Sequence, residues 1–312
     1  ASMSTWLLEG RPRLVSLRRH LSIRTPKKPP APPSLEGQVA WVAGGVGIVG
    51  AGICRGLLRA GATVLVNSRH ETRLEQLADE LGHPERLICV TGSMLPEHAA
   101  TTIQSGLERT NGQLNHVVAH CAVRWWARDH GDESSTMLRN ADSLLAISPE
   151  DFPLLASQLA SLHFAAAHHM MPRLLQGGSS YTWVTGGGPS QMRSAPGVRS
   201  SLGHVNAAVV YGLAGALRSE LEGSQLRVSE LRVSMRLNRP ASERKLDPRE
   251  TPLTHQLGKL CAGIAADASG SHSLNGGNLL HEVSSDAQVN ALRERFPVAD
   301  IGYSVYFNPG LL

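Results

Sequence analysis

The 312-residue chain has no lysine between Lys28 and Lys245, and it is short of several other things. Its four cysteines, Cys54, Cys89, Cys121 and Cys261, are scattered and form no Cys-x-x-Cys pair. That spacing argues against a disulfide framework or a thiolate zinc site and leaves buried, reduced thiols as the expectation. No apolar run approaches the length a bilayer span needs, so no transmembrane helix is expected. Aromatic residues make up only 4% of the chain, and half of its Phe and Tyr residues (Phe296, Tyr303, Tyr306, Phe307) lie beyond residue 295. The formal net charge of +4 is not spread evenly. The first 33 residues hold Arg11, Arg13, Arg18, Arg19, Arg24, Lys27 and Lys28 against Glu9 alone. The rest carries 23 basic and 25 acidic residues, about −2. A body without excess positive charge offers no groove for nucleic acid.

What is present is ordinary globular material, 41% hydrophobic and 18% charged. Residues 11–24, RPRLVSLRRHLSIR, are rich in arginine and free of acids, with an apolar side if helical. Such segments look like mitochondrial targeting sequences, and a disordered basic tail is the other reading. PKKPPAPPS then makes an extended spacer. We therefore divide the chain into an arm (1–34), a body (35–285) and a C-terminal helix and extension (286–312). The arm and the aromatic extension are the expected contacts to other protein subunits, with the body's own surface as the alternative seat of the extension.

From Leu35 short apolar runs alternate with helical patterns. QVAWVAGG reads as a first strand ending in glycines. In GIVGAGICRGLLRAG, Ile48, Ile53, Leu57 and Leu58 fall at helical spacing on one face. ATVLVNSR is a second strand, ETRLEQLADELG a helix ending at Gly82, RLICVTG a third strand, 96–109 a helix and NHVVAHCAV a fourth strand. A long helix follows, with Ser148 placed to cap it and Pro149 at its first position. SYTWVTGGG, residues 200–221, LRVSELRV and GGNLLHEV complete the pattern, with Tyr181 expected just before the fifth strand. The class this predicts is α/β: a Rossmann-type, doubly wound sheet of seven parallel strands.

The loop after the first strand, Gly44-Gly45-Val46-Gly47-Ile48-Val49-Gly50, is placed to bind a dinucleotide. Glycines let the backbone approach a pyrophosphate, and the helix N-terminus offers it free N–H groups. Close strand–helix packing would also favour these glycines. At the end of the second strand stand Asn67, Ser68 and Arg69, with no carboxylate to hold ribose hydroxyls. Arg69 can pair with a 2′-phosphate, so NADP(H) is expected over NAD(H), with a solvated arginine as the bland alternative. The expected cofactor contacts are Gly44, Gly45, Gly47, Ile48, Val49, Gly50, Ser68 and Arg69.

Over residues 35–285 the chain resembles the short-chain dehydrogenase/reductase superfamily. LEGQVAWVAGGVGIVGAGICRGLLRAGATVLVNSR looks like that family's opening βαβ unit and LNGGNLLHEV like its last strand. The loop is similar to the family's T-G-x-x-x-G-x-G, with Ala43 for Thr and Ile48 for the middle Gly. It also fits G-x-x-G-x-x-G through Gly44, Gly47 and Gly50. The resemblance implies an Asn-Asn-Ala-Gly where this chain has Ala119-His120-Cys121-Ala122, and an asparagine where it has Gln158 to Ser161. The family's serine falls among Gly186, Gly187 and Gly188, near Ser190. Its Tyr-x-x-x-Lys pair falls on Leu202 and Asn206, and Tyr211 has Gly215 four residues on. The lysine gap means no register supplies that pair. In the family the tyrosine moves the proton while the lysine lowers its pKa and holds the nicotinamide ribose. His120, Cys121 and His204 are candidates for a replacement acid. His168 and His169 are expected to diverge too far to share a metal. The resulting expectation is a pseudoenzyme: an accessory subunit of a mitochondrial, matrix-side assembly, with a respiratory-chain complex as the analogy. It would lie peripheral to the membrane and keep NADP(H) as a structural ligand. An NADP(H)-dependent oxidoreductase with a non-standard acid is the alternative.

Overall fold

The computed structural model describes residues 31–122, 144–174, 178–186, 201–235, 237, 253–267 and 279–302. Seven strands, β1 (Val39–Ala43), β2 (Thr63–Ser68), β3 (Leu87–Thr91), β4 (His116–Ala119), β5 (Ser180–Gly186), β6 (Arg227–Val233) and β7 (Leu279–Val283), form one parallel sheet. Their order is β3-β2-β1-β4-β5-β6-β7. Among the described residues seven α-helices accompany them: α1 (Ile48–Arg59), α2 (Glu71–Leu81), α3 (Pro96–Glu108), α4 (Phe152–Leu174), α5 (Ser201–Glu220), α6 (Leu253–Ala266) and α7 (Asp286–Arg295). This is the doubly wound α/β architecture the alternation implies. The direction of winding reverses between β1 and β4, which opens a crevice at the carboxyl ends of those strands.

Two apolar layers cover the sheet. On one face Ile53, Leu57 and Leu58 of α1, Leu74 and Leu77 of α2 and most of α6 pack on Val42, Val64 and Leu231. On the other, Ile103 and Leu107 of α3, Met170 of α4 and Val210 of α5 pack on Trp41, Val117, Tyr181 and Trp183. The central strand β1 is buried on both faces, which explains its unbroken apolar run. Trp41 fits because residue 106 has no side chain: a Cβ on Gly106 would lie 2.3 Å from the indole ring. The indole N–H is satisfied by Asn67 Oδ1 at 3.1 Å.

Some expectations need correction. Ile53, Leu57 and Leu58 share a buried face, but Ile48 is 68% exposed at the head of α1, because the first turn projects past the sheet into the crevice. Tyr181 lies inside β5, fully buried, not before it. Ser148 does cap: its hydroxyl accepts from Asp151 N–H at 3.1 Å, and the regular helix begins at Phe152. The helix between β6 and β7 has no readable amphipathic period because α6 is buried almost all round. It reaches α1 through glycines. A Cβ on Gly258 would stand 1.8 Å from Gly52 O, and one on Gly56 would stand 2.2 Å from the Gly258 backbone.

The segment after β7 closes on the body. Ser285 caps α7 by accepting from Gln288 N–H. Phe296 is buried against His281, and Ala299 N–H donates to Pro33 O at 2.8 Å. Tyr303, Tyr306 and Phe307 lie outside the described residues, as do the targeting-like residues 11–24. No helix among the described residues is long and apolar enough to cross a membrane.

Candidate functional site

The crevice is built from the ends of β1, β2, β4 and β5. β1 leads into Gly44 at φ +83°, a left-handed conformation that favours glycine. A Cβ there would also meet His120 O at 2.4 Å, so the loop lies directly against the turn after β4. Gly45 is enclosed by Val66, Val42 and Cys54, and a Cβ on Gly50 would press on Gly45 at 2.5 Å. These three glycines serve packing. Gly47 differs: a Cβ there would meet nothing within 4 Å. It is the N-cap of α1, in extended conformation, with no side-chain cap and no acid in the first turn. The first N–H groups of α1 thus open onto the crevice beside exposed Ile48, while Val49 leans on the core. This arrangement fits a pyrophosphate.

At the end of β2, Asn67 is a packing residue: it accepts from Trp41 and donates to Gly92 O at 3.4 Å. Ser68 is buried and its hydroxyl accepts from His70 N–H at 3.1 Å, which shapes the turn. Arg69 is exposed and makes no hydrogen bond or ion pair among the described residues. Of the expected cofactor contacts, Gly47, Ile48 and Arg69 therefore face open space, while Gly44, Gly45, Gly50, Val49 and Ser68 form the supporting wall.

The turn after β4 carries two of the candidate replacement acids. His120 N–H donates to Ala43 O at 2.9 Å, and its Nδ1–H reaches Val184 O at 3.3 Å. Burial holds the imidazole below its ordinary pKa, against the opposing pull of that carbonyl. Cys121 is buried, and burial pushes its thiol up to about 12. A thiol that stays protonated is an inert one. Burial does the same to Cys261, up to about 12, and raises Cys54 and Cys89 as well. The carbonyl of Cys121 accepts from Nε2 of His163, at 3.2 Å. Burial, with His120 nearby, brings His163 down to about 3, so it is neutral.

The helix positions named by the family resemblance are occupied structurally. Leu202 is buried. Asn206, completely buried, inserts its amide into α4: Oδ1 accepts from Leu159 N–H at 3.0 Å and Nδ2 donates to Leu155 O at 2.7 Å. Both partners lie one turn apart on α4, so the amide ties that helix to α5. Asn206 is a bracket between helices.

Among the described residues, the Tyr211 hydroxyl lies at the carboxyl end of β5, where it donates to Gly186 O at 2.6 Å. The Arg232 guanidinium lies 4.1 Å from the centre of its ring. Arg232 is held in turn by Glu230, whose carboxylate is fully buried. Glu230 also accepts from Arg218 at 3.2 Å and from the Thr185 hydroxyl at 2.9 Å. In the sequence nothing marks Tyr211 as part of a relay, because no lysine stands one turn on. Its cation comes instead from the neighbouring strand, a pairing that no spacing within α5 announces. Trp125, Trp126, Gly187, Gly188 and Ser190 lie outside the described residues. His168 and His169 touch edge-on, with centroids 4.8 Å apart. Among the described residues no three His, Cys, Asp or Glu side chains gather as metal ligands.

A doubly wound sheet with a glycine-lined turn into α1 and an exposed helix N-terminus at its switch point defines the α/β class of the chain. Its fold is that of the short-chain dehydrogenases/reductases. No family model matches the chain. Over 116 residues it is 33% identical to the 3-beta-hydroxysteroid dehydrogenase of Comamonas testosteroni, a match spanning 37% of this chain and 43% of that protein's length. RhlG of Pseudomonas aeruginosa, in its NADP active-site complex, superposes with a TM-score of 0.60 at 18% identity, over 82% of this chain and 98% of that one. The 2-keto-3-deoxy-D-gluconate dehydrogenase of Streptococcus agalactiae gives 0.58 at 15% identity, over 84% and 96%. At such identities the likeness is one of fold.

Proposed function

We propose that the chain binds NADP(H) in the β1/β4 crevice and serves as an accessory subunit of a mitochondrial matrix-side assembly, without the superfamily's usual hydride-transfer cycle. The absence of lysine from residue 29 to residue 244 carries the second half of this reading, because the tyrosine–lysine relay has no register in the chain. The open cap at Gly47 and Arg69, unpaired among the described residues, support the first half, as does the NADP complex of RhlG. A bound nicotinamide is a hydride donor or acceptor. The first turn of α1 would hold the cofactor's phosphates and Arg69 would meet the 2′-phosphate, while His120, Cys121 and His163 stay uncharged beneath the crevice. The arginine-rich, acid-free arm supports import and docking to neighbouring subunits.

Purified chain is expected to bind NADPH in a fluorescence titration and to leave a panel of carbonyl substrates unreduced. Arg69→Ser is expected to weaken NADPH by about tenfold while leaving NADH unchanged, the signature of a lost charge-assisted phosphate contact. Equal effects on both cofactors would remove Arg69 from the site.

The oxidoreductase reading has one observation in its favour, the Tyr211 hydroxyl at the end of β5 with the Arg232 cation against its ring. If Tyr211 is a proton donor there, steady NADPH consumption with some carbonyl compound falls about 10²–10⁴-fold in Tyr211→Phe, the usual weight of general acid catalysis. Wild-type turnover that survives this substitution would end that reading.

A further inference from the structure

A second cavity lies well away from the crevice, where α1, α6 and α7 meet. It encloses about 270 Å³ and is lined by Arg55 and Arg59 of α1, His255 and Lys259 of α6, and Arg293 of α7. Among the described residues a single carboxylate, Asp300, borders it. Asp300 is committed to Arg59, at 2.9 Å. Among the described residues Arg55 donates only to a backbone carbonyl, Glu80 O, and Arg293 only to the Asn290 amide oxygen. Lys259 has no hydrogen bond or ion pair among them. The Nε atoms of Arg55 and Arg293 are shielded from solvent and unpartnered.

Three helices thus turn uncompensated cations into one small pocket, although the body as a whole carries no excess positive charge. Like charges so placed repel, and a shielded guanidinium nitrogen without a partner costs desolvation. Arg59 and Arg293 also sit in the last turns of their helices, where a cation offsets the helix dipole. Lys259 is mid-helix and has no such account. Burial, followed by Arg55 and then Arg59, brings His255 down to about 4, which reports the same positive field. A multiply charged anion resolves all of these features together.

We propose that this pocket is a binding site for a small phosphate-bearing ligand with two or more negative charges. The volume is below the roughly 300–1,000 Å³ of sites for drug-sized molecules, so the fit is to a phosphate or diphosphate group and not to a whole dinucleotide. Arg55 stands eight residues along α1 from Gly47, about 12 Å at 1.5 Å per residue, so the two anion sites are separate. Occupancy here ties α1 to α6 and α7 across their far ends.

The test is calorimetric titration of the full chain with inorganic pyrophosphate at constant ionic strength, with unfolding temperature read in parallel. Saturable binding is expected, falling by about tenfold or more in Lys259→Glu and in Arg293→Gln. Lys259 is partly exposed, so its variant should fold, and Arg293 lies on a different helix and is the second probe. Binding should persist in Gly47→Asp, which closes the crevice site. Displacement of pyrophosphate by a soluble nucleoside diphosphate, or by vesicles carrying phosphatidic acid, would support the site and say whether a free phosphate or a lipid headgroup occupies it. The proposal fails if titration shows no saturation, if chloride at equal ionic strength gives the same thermal shift, if both pocket variants bind like the wild type, or if Gly47→Asp abolishes binding.

Discussion

Gly47→Asp is expected to leave the protein as stable as before or slightly more stable, while NADPH binding drops by about 100-fold or more. The two halves arise from the same atom position. Gly47 has φ −91° and ψ 168°, which an L-residue adopts without strain, and a Cβ there meets no atom within 4 Å. An aspartate at this N-cap accepts from the free N–H groups of the first turn and complements the helix dipole. It gains a few tenths of a kcal/mol over glycine as a cap, and about 0.3–1 kcal/mol from the charge. The same carboxylate stands where the pyrophosphate would. Two like unit charges about 4 Å apart cost about 4 kcal/mol at an effective dielectric constant near 20, more than enough for the expected loss. Thermal unfolding and a fluorescence titration measure the two quantities on one sample. A variant that binds NADPH as the wild type does would show that the head of α1 does not hold the cofactor. The adjacent glycines cannot give so clean a result. Side chains at Gly44, Gly45 or Gly50 collide with His120, Val66 or the loop itself, so losses there would report folding.

Stability is expected to fall by at least about 4 kcal/mol between pH 7 and pH 5, before most carboxylates titrate. Two buried histidines account for that much. His116 bonds Ser180 Oγ at 2.9 Å and Gln38 Oε1, and burial, with a smaller contribution from Arg227, brings it down to about 3. His163, brought equally low by burial and by His120, lies between Cys121 O and the Trp183 ring, whose centroid is 5.3 Å away. Both folded-state pKa values lie below the unfolded value near 6.5, so between about 3 and 6.5 the unfolded chain binds the extra protons. Their stabilisation is therefore complete above about pH 6.5 and is lost progressively as pH falls. Each histidine contributes a slope of about 1.4 kcal/mol per pH unit. Typical domains have only about 5–15 kcal/mol in total, so acid of this strength is a severe stress. Burial also lowers His281, to about 4, in the same direction. Urea unfolding at pH 7.0, 6.0 and 5.0 measures the slope. His163→Gln, which keeps a donor for Cys121 O, should remove that residue's own share, about 1.4 kcal/mol per pH unit below pH 6.5. An unchanged slope in that variant would mean the imidazole is solvated.

The sequence by itself determined the order of the βα units, the glycine turn after β1, the acid-free end of β2 and the missing tyrosine–lysine register. Each is written locally, because strand and helix periods, turn glycines and fixed spacings need only neighbouring residues to be legible. The helix α6 was not legible, since a helix buried on every side has no polar face to mark its period. Nor was Ile48, whose place at helical spacing says nothing about a first turn that projects beyond the sheet. Only the tertiary structure decided which tyrosine lies at the carboxyl end of β5. Tyr211 meets a cation from β6, and Asn206 bonds the backbone of a helix nearly fifty residues earlier. The same holds for the basic pocket, where Arg55, Lys259 and Arg293 converge from helices at opposite ends of the chain. Crossover connections bring such residues together, and the distance between them in the sequence carries no trace of the distance between them in space.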